Sequence, residues 1–137
     1  MTTQSTKFTL TFGVPQRVLY DALTDQMKLS AICRCPAQFT LEEGKEFNLY
    51  QGKILGKNIQ ITQDLIVQDW KINDWPSFSK VRYEFEATDD DEVEITIRQT
   101  EIPAGVHLTQ VVGGWMGMIF EPLSGILGYP ITEKKMN

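Results

Sequence analysis

Cys33, Cys35 and His107 are the residues of this chain with the most versatile chemistry, because thiolate and imidazole can serve as nucleophile and base or as metal ligands. A hydroxyl or thiol nucleophile needs a base to activate it. His107 is the single histidine, at the entrance of a predicted helix beside Gly105, where a capping or exposed position is the expectation. A zinc site from Cys33, Cys35 and His107 would have three ligands, with one residue between the cysteines instead of the usual wider spacing and no evident fourth ligand. A disulfide across that single residue would be strained, so both thiols read as small apolar residues of a reducing compartment.

Gly52, Gly56 and Lys57 approach a phosphate cradle, but the spacing is one residue short and Asn58 stands where a hydroxyl residue is needed. Glu42 with Glu43, and the run Asp89, Asp90, Asp91 and Glu92, lie in predicted turns where water stabilises their charge. The run also lacks the spacing of a calcium loop. These patterns assign no catalytic residue, metal or cofactor, which leaves contact surfaces. Trp70 and Trp115 fall at core positions of a strand and a helix. Trp75 sits in a connection before Pro76 and is expected to touch a partner, since aromatics bury much area at low entropic cost. Arg34 is the second candidate contact; its guanidinium can grip an acidic partner bidentately or make an internal ion pair.

Local periodicity predicts the elements that carry these residues. Phe8, Leu10 and Phe12 alternate with Lys7, Thr9 and Thr11 as a half-buried strand. Pro15 opens a helix with Val18, Leu19, Ala22 and Leu23 on one stripe, and Thr24 or Asp25 caps a second short helix. Short antiparallel strands follow at Phe39–Leu41, Phe47–Leu49, Ile59–Ile61 and Leu65–Ile72. Val81, Tyr83, Phe85 and Val93, Ile95, Ile97 form a hairpin. Beyond Pro103 the period becomes helical, with Leu108, Val111, Trp115, Ile119 and Leu123 on the apolar stripe. Gly113, Gly114 and Gly117 in this helix suggest a close backbone approach or a cavity wall. Pro122 should kink or end it. Residues 1–6 are expected to be a flexible N-terminus, 7–130 a single domain, and 131–137 a frayed polar tail.

The whole is an α+β plan: a curved antiparallel sheet wrapped around a long C-terminal helix, with two short helices after strand one, which is the helix-grip arrangement. Its 137 residues suit one domain, and the 42% hydrophobic content suffices for a core. Thirteen basic against eighteen acidic residues give a net charge of −5, which opposes a nucleic-acid partner. Apolar runs fall short of the ~20 residues that span a bilayer, so no membrane partner and a cytoplasmic location are expected.

The ordered set Val14-Pro15, Leu19-Tyr20, Leu23-Thr24-Asp25, Arg34, Gly52 with Gly56, Trp70-Lys71, Asp74-Trp75-Pro76, Ile102-Pro103, Gly114-Trp115, Phe120 and Gly128-Tyr129 resembles the C-terminal domain of the activators of the ninety-kilodalton heat-shock chaperone ATPase, in the START-like superfamily. The resemblance implies a co-chaperone that binds the dimeric chaperone and favours the closure that limits its ATP hydrolysis, without chemistry of its own. Full-length activators carry a further N-terminal domain that this chain is expected to lack, so the implied contact is the one made near the chaperone's nucleotide-binding domains. Proline at 122 departs from the family by shortening the lid helix. The superfamily's other habit, holding a small apolar ligand or lipid between sheet and helix, would place a cavity among Phe47, Leu49, Trp70, Tyr83, Phe85, Ile95, Trp115 and Ile119.

Overall fold

The computed structural model describes residues 2–136. Strand β1 (Thr3–Phe12) leads into helices α1 (Gln16–Thr24) and α2 (Gln26–Cys33). Strands β2 (Glu46–Leu49), β3 (Ile54–Ile61), β4 (Leu65–Ile72), β5 (Ser79–Asp89) and β6 (Glu92–Pro103) follow. A long helix then runs from Leu108 to Leu127, and β7 (Ile131–Met136) closes the chain. One sheet of order β2-β3-β4-β5-β6-β1-β7 results, each strand antiparallel to its neighbours. The fold is the expected α+β helix-grip of the START-like type, with the apolar phases of the strands buried beneath the helices.

The local capping chemistry holds. Pro15 stands at the N-cap of α1, and the Asp25 carboxylate accepts the Lys28 amide at 3.0 Å to cap α2. Phe39 and Leu41, expected in a strand, form none; only the neighbouring Gln38 bridges to Asn48. The chain ends behave differently from expectation. Thr3, Gln4 and Thr6 pair with Pro103, Ile102 and Gln99 of β6, and the Gln4 amide donates to the Pro103 carbonyl at 3.0 Å. Residues Ile131–Met136 form an edge strand on β1, with Leu10 opposite Lys134 and Thr11 opposite Glu133. Its exposed charged side chains suit an edge, which needs backbone partners more than apolar ones. Met1 and Asn137 lie outside the described residues.

Pro122 does not end the long helix. Three consecutive pieces make it: α3 (Leu108–Gly114), a π-helical segment (Trp115–Phe120) and α4 (Glu121–Leu127). The Glu121 amide reaches back to the Met116 carbonyl, and Pro122 then occupies the first turn of α4, where its missing N–H costs little. An α-helix would direct a 122 amide to the Met118 carbonyl. That carbonyl instead accepts the Tyr50 hydroxyl, from a β2–β3 loop where Tyr50 and Gln51 hold φ of 55° and Gly52 holds 92°. Burial, chiefly, raises the Tyr50 pKa, so the phenol stays a donor. Tyr50→Phe deletes only this hydroxyl and is expected to cost about 1 kcal/mol in urea denaturation, with the loss reflecting an unpaired helix carbonyl. Gly128, at φ 76°, stops the helix with its amide on the Ser124 carbonyl.

Candidate functional site

A groove of about 650 Å³ opens between the first half of the long helix and the end of the sheet formed by β3 and β4. Trp70, Trp115 and Ile119 line its base. Trp75 and Pro76 of the β4–β5 connection wall one side, and Val106 the segment before α3. Strand alternation turns Trp70 inward, and helical spacing turns Trp115 onto it; their rings stack at 5.0 Å between centroids and 22° between planes. Trp75 meets the Trp70 edge at 5.7 Å and remains partly exposed. Trp70 and Trp115, expected on one cavity wall, are thus joined by Trp75 in one cluster. Two hydrogen bonds hold the Trp75 connection: its amide to the Ile72 carbonyl at 2.9 Å, and the Lys71 ammonium to its carbonyl at 3.2 Å.

Beneath the cluster run two buried polar relays. The Trp115 indole donates to Gln99 (2.8 Å), whose amide donates to the Ser79 hydroxyl (2.9 Å), which donates to the Trp70 carbonyl (2.6 Å). In the second, the Tyr83 hydroxyl donates to Gln68 (2.8 Å), Gln68 to Asn58 (3.0 Å), and Asn58 to the Thr40 carbonyl (2.9 Å). Burial pushes the Tyr83 phenol up, so it remains a donor. No buried side-chain nitrogen or oxygen is left unpaired among the described residues, which makes these relays positional devices for the groove base. Gln99, Gln68 and Asn58 sit on the apolar phase of their strands; a polar residue at an inward position is the signal that could have revealed them.

The apolar cavity expected among Phe47, Leu49, Trp70, Tyr83, Phe85, Ile95, Trp115 and Ile119 is filled on its inner side by those side chains, while Trp70, Trp115 and Ile119 of the set face the groove. About 20 Å³ remains on that inner side, beside six of them and too small for a ligand, and Phe85 is covered by the Tyr20 ring at 5.3 Å. The helix glycines divide as well. Gly114 lines the groove, and a Cβ added at Gly113, Gly114 or Gly117 would meet nothing within 4 Å. The close approach lies at Gly56, inside β3 and not in a phosphate loop: a Cβ there would come within 2.3 Å of the Asp69 carbonyl oxygen.

Arg34 caps α2 with a left-handed backbone, φ 56°, and is exposed away from the groove lining. It makes no ion pair among the described residues. Cys33 is buried and Cys35 partly so; both are free, and burial raises the Cys33 thiol. His107 lies on the groove rim as the N-cap of α3 without a capping side-chain bond. No group of three or more His, Cys, Asp or Glu side chains could hold a metal among the described residues, and no helix among them is long and apolar enough to cross a membrane. The groove is built on stacked aromatic rings over a hydrogen-bonded polar underlay.

Comparison with known proteins agrees along the chain. The family model described as Activator of Hsp90 ATPase homolog 1-like protein matches residues 13–128. A curated Dictyostelium discoideum protein, an activator of 90 kDa heat shock protein ATPase homolog, is 28% identical over 131 residues, covering 93% of this chain and 34% of that protein. The chain thus spans about a third of that relative. The crystal structure of an HSP90 activator from Plasmodium falciparum superposes with a TM-score of 0.86 and 33% identity, over 96% of this chain and 99% of the other. A Chromobacterium violaceum protein at 14% identity and TM-score 0.71, covering 89% of this chain and 95% of its own, shares the fold alone. With the family model matching all but the two ends, this chain belongs to the activator of Hsp90 ATPase homolog 1-like family.

Proposed function

We propose that this protein is a co-chaperone that binds the dimeric ninety-kilodalton heat-shock chaperone in the cytoplasm and raises its ATP turnover. The carrying observation is the end-to-end agreement, at 33% identity, with an HSP90 activator of nearly the same extent. The mechanism is a population shift: affinity for the closed chaperone exceeds affinity for the open one, and that difference lowers the free energy of the hydrolysing state. The reading asks no bond-making of this chain, only differential contact, which suits a groove of packed tryptophans more than a cluster of acids and bases.

Trp75 is the contact assigned to the groove, and Arg34 a second contact at the end of α2. Titrating the protein into purified chaperone, with a competitive chaperone inhibitor to subtract background ATPase, is expected to give saturable stimulation. Binding should tighten when a nonhydrolysable ATP analogue closes the chaperone; equal affinity with and without nucleotide would sink the population shift. Trp75→Ala removes an aromatic anchor from a groove wall, and a loss of about 2 kcal/mol, or roughly thirtyfold in half-maximal concentration, is expected in the same titration.

A further inference from the structure

We propose that the outer face of the sheet carries a docking band for an acidic protein surface, formed by Lys7, Arg98 and Arg82 with Lys80 beside them. It rests on the co-chaperone reading by making that acidic surface part of the chaperone. Strand register brings the residues together across long sequence distances. Lys7 of β1 pairs with Arg98 of β6, and Arg98 with Arg82 of β5. Their chain neighbours Phe8, Ile97, Val81 and Tyr83 are buried on the opposite face, so the cations belong to the outer one, where Arg82 and Arg98 are exposed.

Like charges directly opposite one another weaken a sheet, and an outward strand position is filled as well by threonine or glutamine. This sheet nevertheless lines up three cations. Glu84 serves both guanidiniums, at 2.7 Å from Arg98 Nε and 3.4 Å from Arg82 Nε, while Lys80 pairs with Asp69 at 2.9 Å. Burial alone would raise the Glu84 pKa; the two arginines outweigh it and hold the carboxyl below the usual range. Lys7 makes no ion pair among the described residues. Four cations against two carboxylates leave the band positive in a chain of net charge −5.

The negative charge gathers at the far end of the β5–β6 hairpin, in Glu86, Asp89, Asp90, Asp91, Glu92 and Glu94. The face is thus polarised along its strands, an arrangement that orients an incoming acidic patch and repels it at the wrong end. The same acidic end repels a continuous phosphate backbone, which favours a bounded protein surface over nucleic acid.

Lys7→Glu is the sharpest test because it sets a carboxylate opposite Arg98. Stability should hold or rise in urea denaturation, while affinity for the chaperone at about 50 mM salt falls roughly tenfold. Arg82→Glu should fall similarly, Lys45→Glu outside the band should bind as wild type, and the differences should collapse near 500 mM salt. Chaperone binding by folded Lys7→Glu and Arg82→Glu at the wild-type level would overturn the band and leave the co-chaperone reading standing. A polyglutamate peptide probes the band without the chaperone. Binding of that peptide that Lys7→Glu weakens, with no wild-type binding to the chaperone, would keep the band and remove the reading. Tighter binding of a single-stranded RNA than of either acidic probe would overturn the assigned occupant.

Discussion

Replacing Trp115 with alanine is expected to cost roughly 3–5 kcal/mol of folding stability, the range for removing a large aromatic from a packed core. The indole is a junction. It stacks on Trp70 at 5.0 Å, meets the Tyr83 ring edge-on at 5.7 Å and the Phe120 ring at 6.1 Å, and donates to Gln99 at 2.8 Å. Its loss both opens a cavity and leaves the buried Gln99 carbonyl oxygen without a donor. Trp115→Phe separates the two contributions. It keeps most of the buried area and deletes the N–H, so about 1–3 kcal/mol is expected from the unpaired amide. Urea denaturation of both variants measures the split. Equal losses would assign the stability to the hydrogen bond; a much larger loss for alanine would assign it to packing. On the proposed co-chaperone reading, in which the groove is the contact, the alanine variant should also stimulate the chaperone less at temperatures where it is fully folded.

Gly56→Ala is expected to destabilise by about 3 kcal/mol, at the upper end of what a single added methyl costs by overpacking. The added Cβ would lie 2.2 Å from the tip of the Phe47 ring and 2.3 Å from the Asp69 carbonyl oxygen. A ring can swing aside. The carbonyl is backbone of β4, held by the ladder in which Gly56 faces Trp70 and Lys57 faces Asp69, so relief requires the two strands to part. A drop in melting temperature of roughly 10 °C is the expected readout. Gly117→Ala is the natural contrast. A Cβ there meets nothing within 4 Å, and the variant should gain up to about 1 kcal/mol from helix propensity. If both glycine variants destabilise equally, steric contact at Gly56 is not the cause.

Most of the elements were legible because each of these announces itself within a few residues. Val81, Tyr83 and Phe85, then Val93, Ile95 and Ile97, alternate clearly enough to specify two strands and the face each buries. The long helix was equally legible from the spacing of Val111, Trp115, Ile119 and Leu123. Its passage through Pro122 was not, because the rescue comes from a π-helical segment and from Tyr50, some 70 positions away, donating to the Met118 carbonyl. Strand β7 was hidden for a similar reason. Its charged residues carry no apolar pattern, and its stability derives from the backbone of β1, more than a hundred residues earlier in the chain.

The candidate site divides along the same line. Trp75 stood out alone, as an aromatic in a connection, and Arg34 as a cation at a helix end. That Trp75 would join Trp70 and Trp115 around one groove, that Arg34 would lie off it, and that the inner side of the expected apolar cavity would be filled to about 20 Å³ were not readable in any window. The residues alone specified β1, the two short helices, the β5–β6 hairpin with the face each of its strands buries, the long helix, and the family to which the chain belongs. Tertiary structure alone decided which side chains meet, how much space they leave, and that Lys7, Arg98 and Arg82 stand in one row. The physical reason is that periodicity is a property of one element, whereas register, volume and like-charge juxtaposition arise only when distant elements are brought to a common surface.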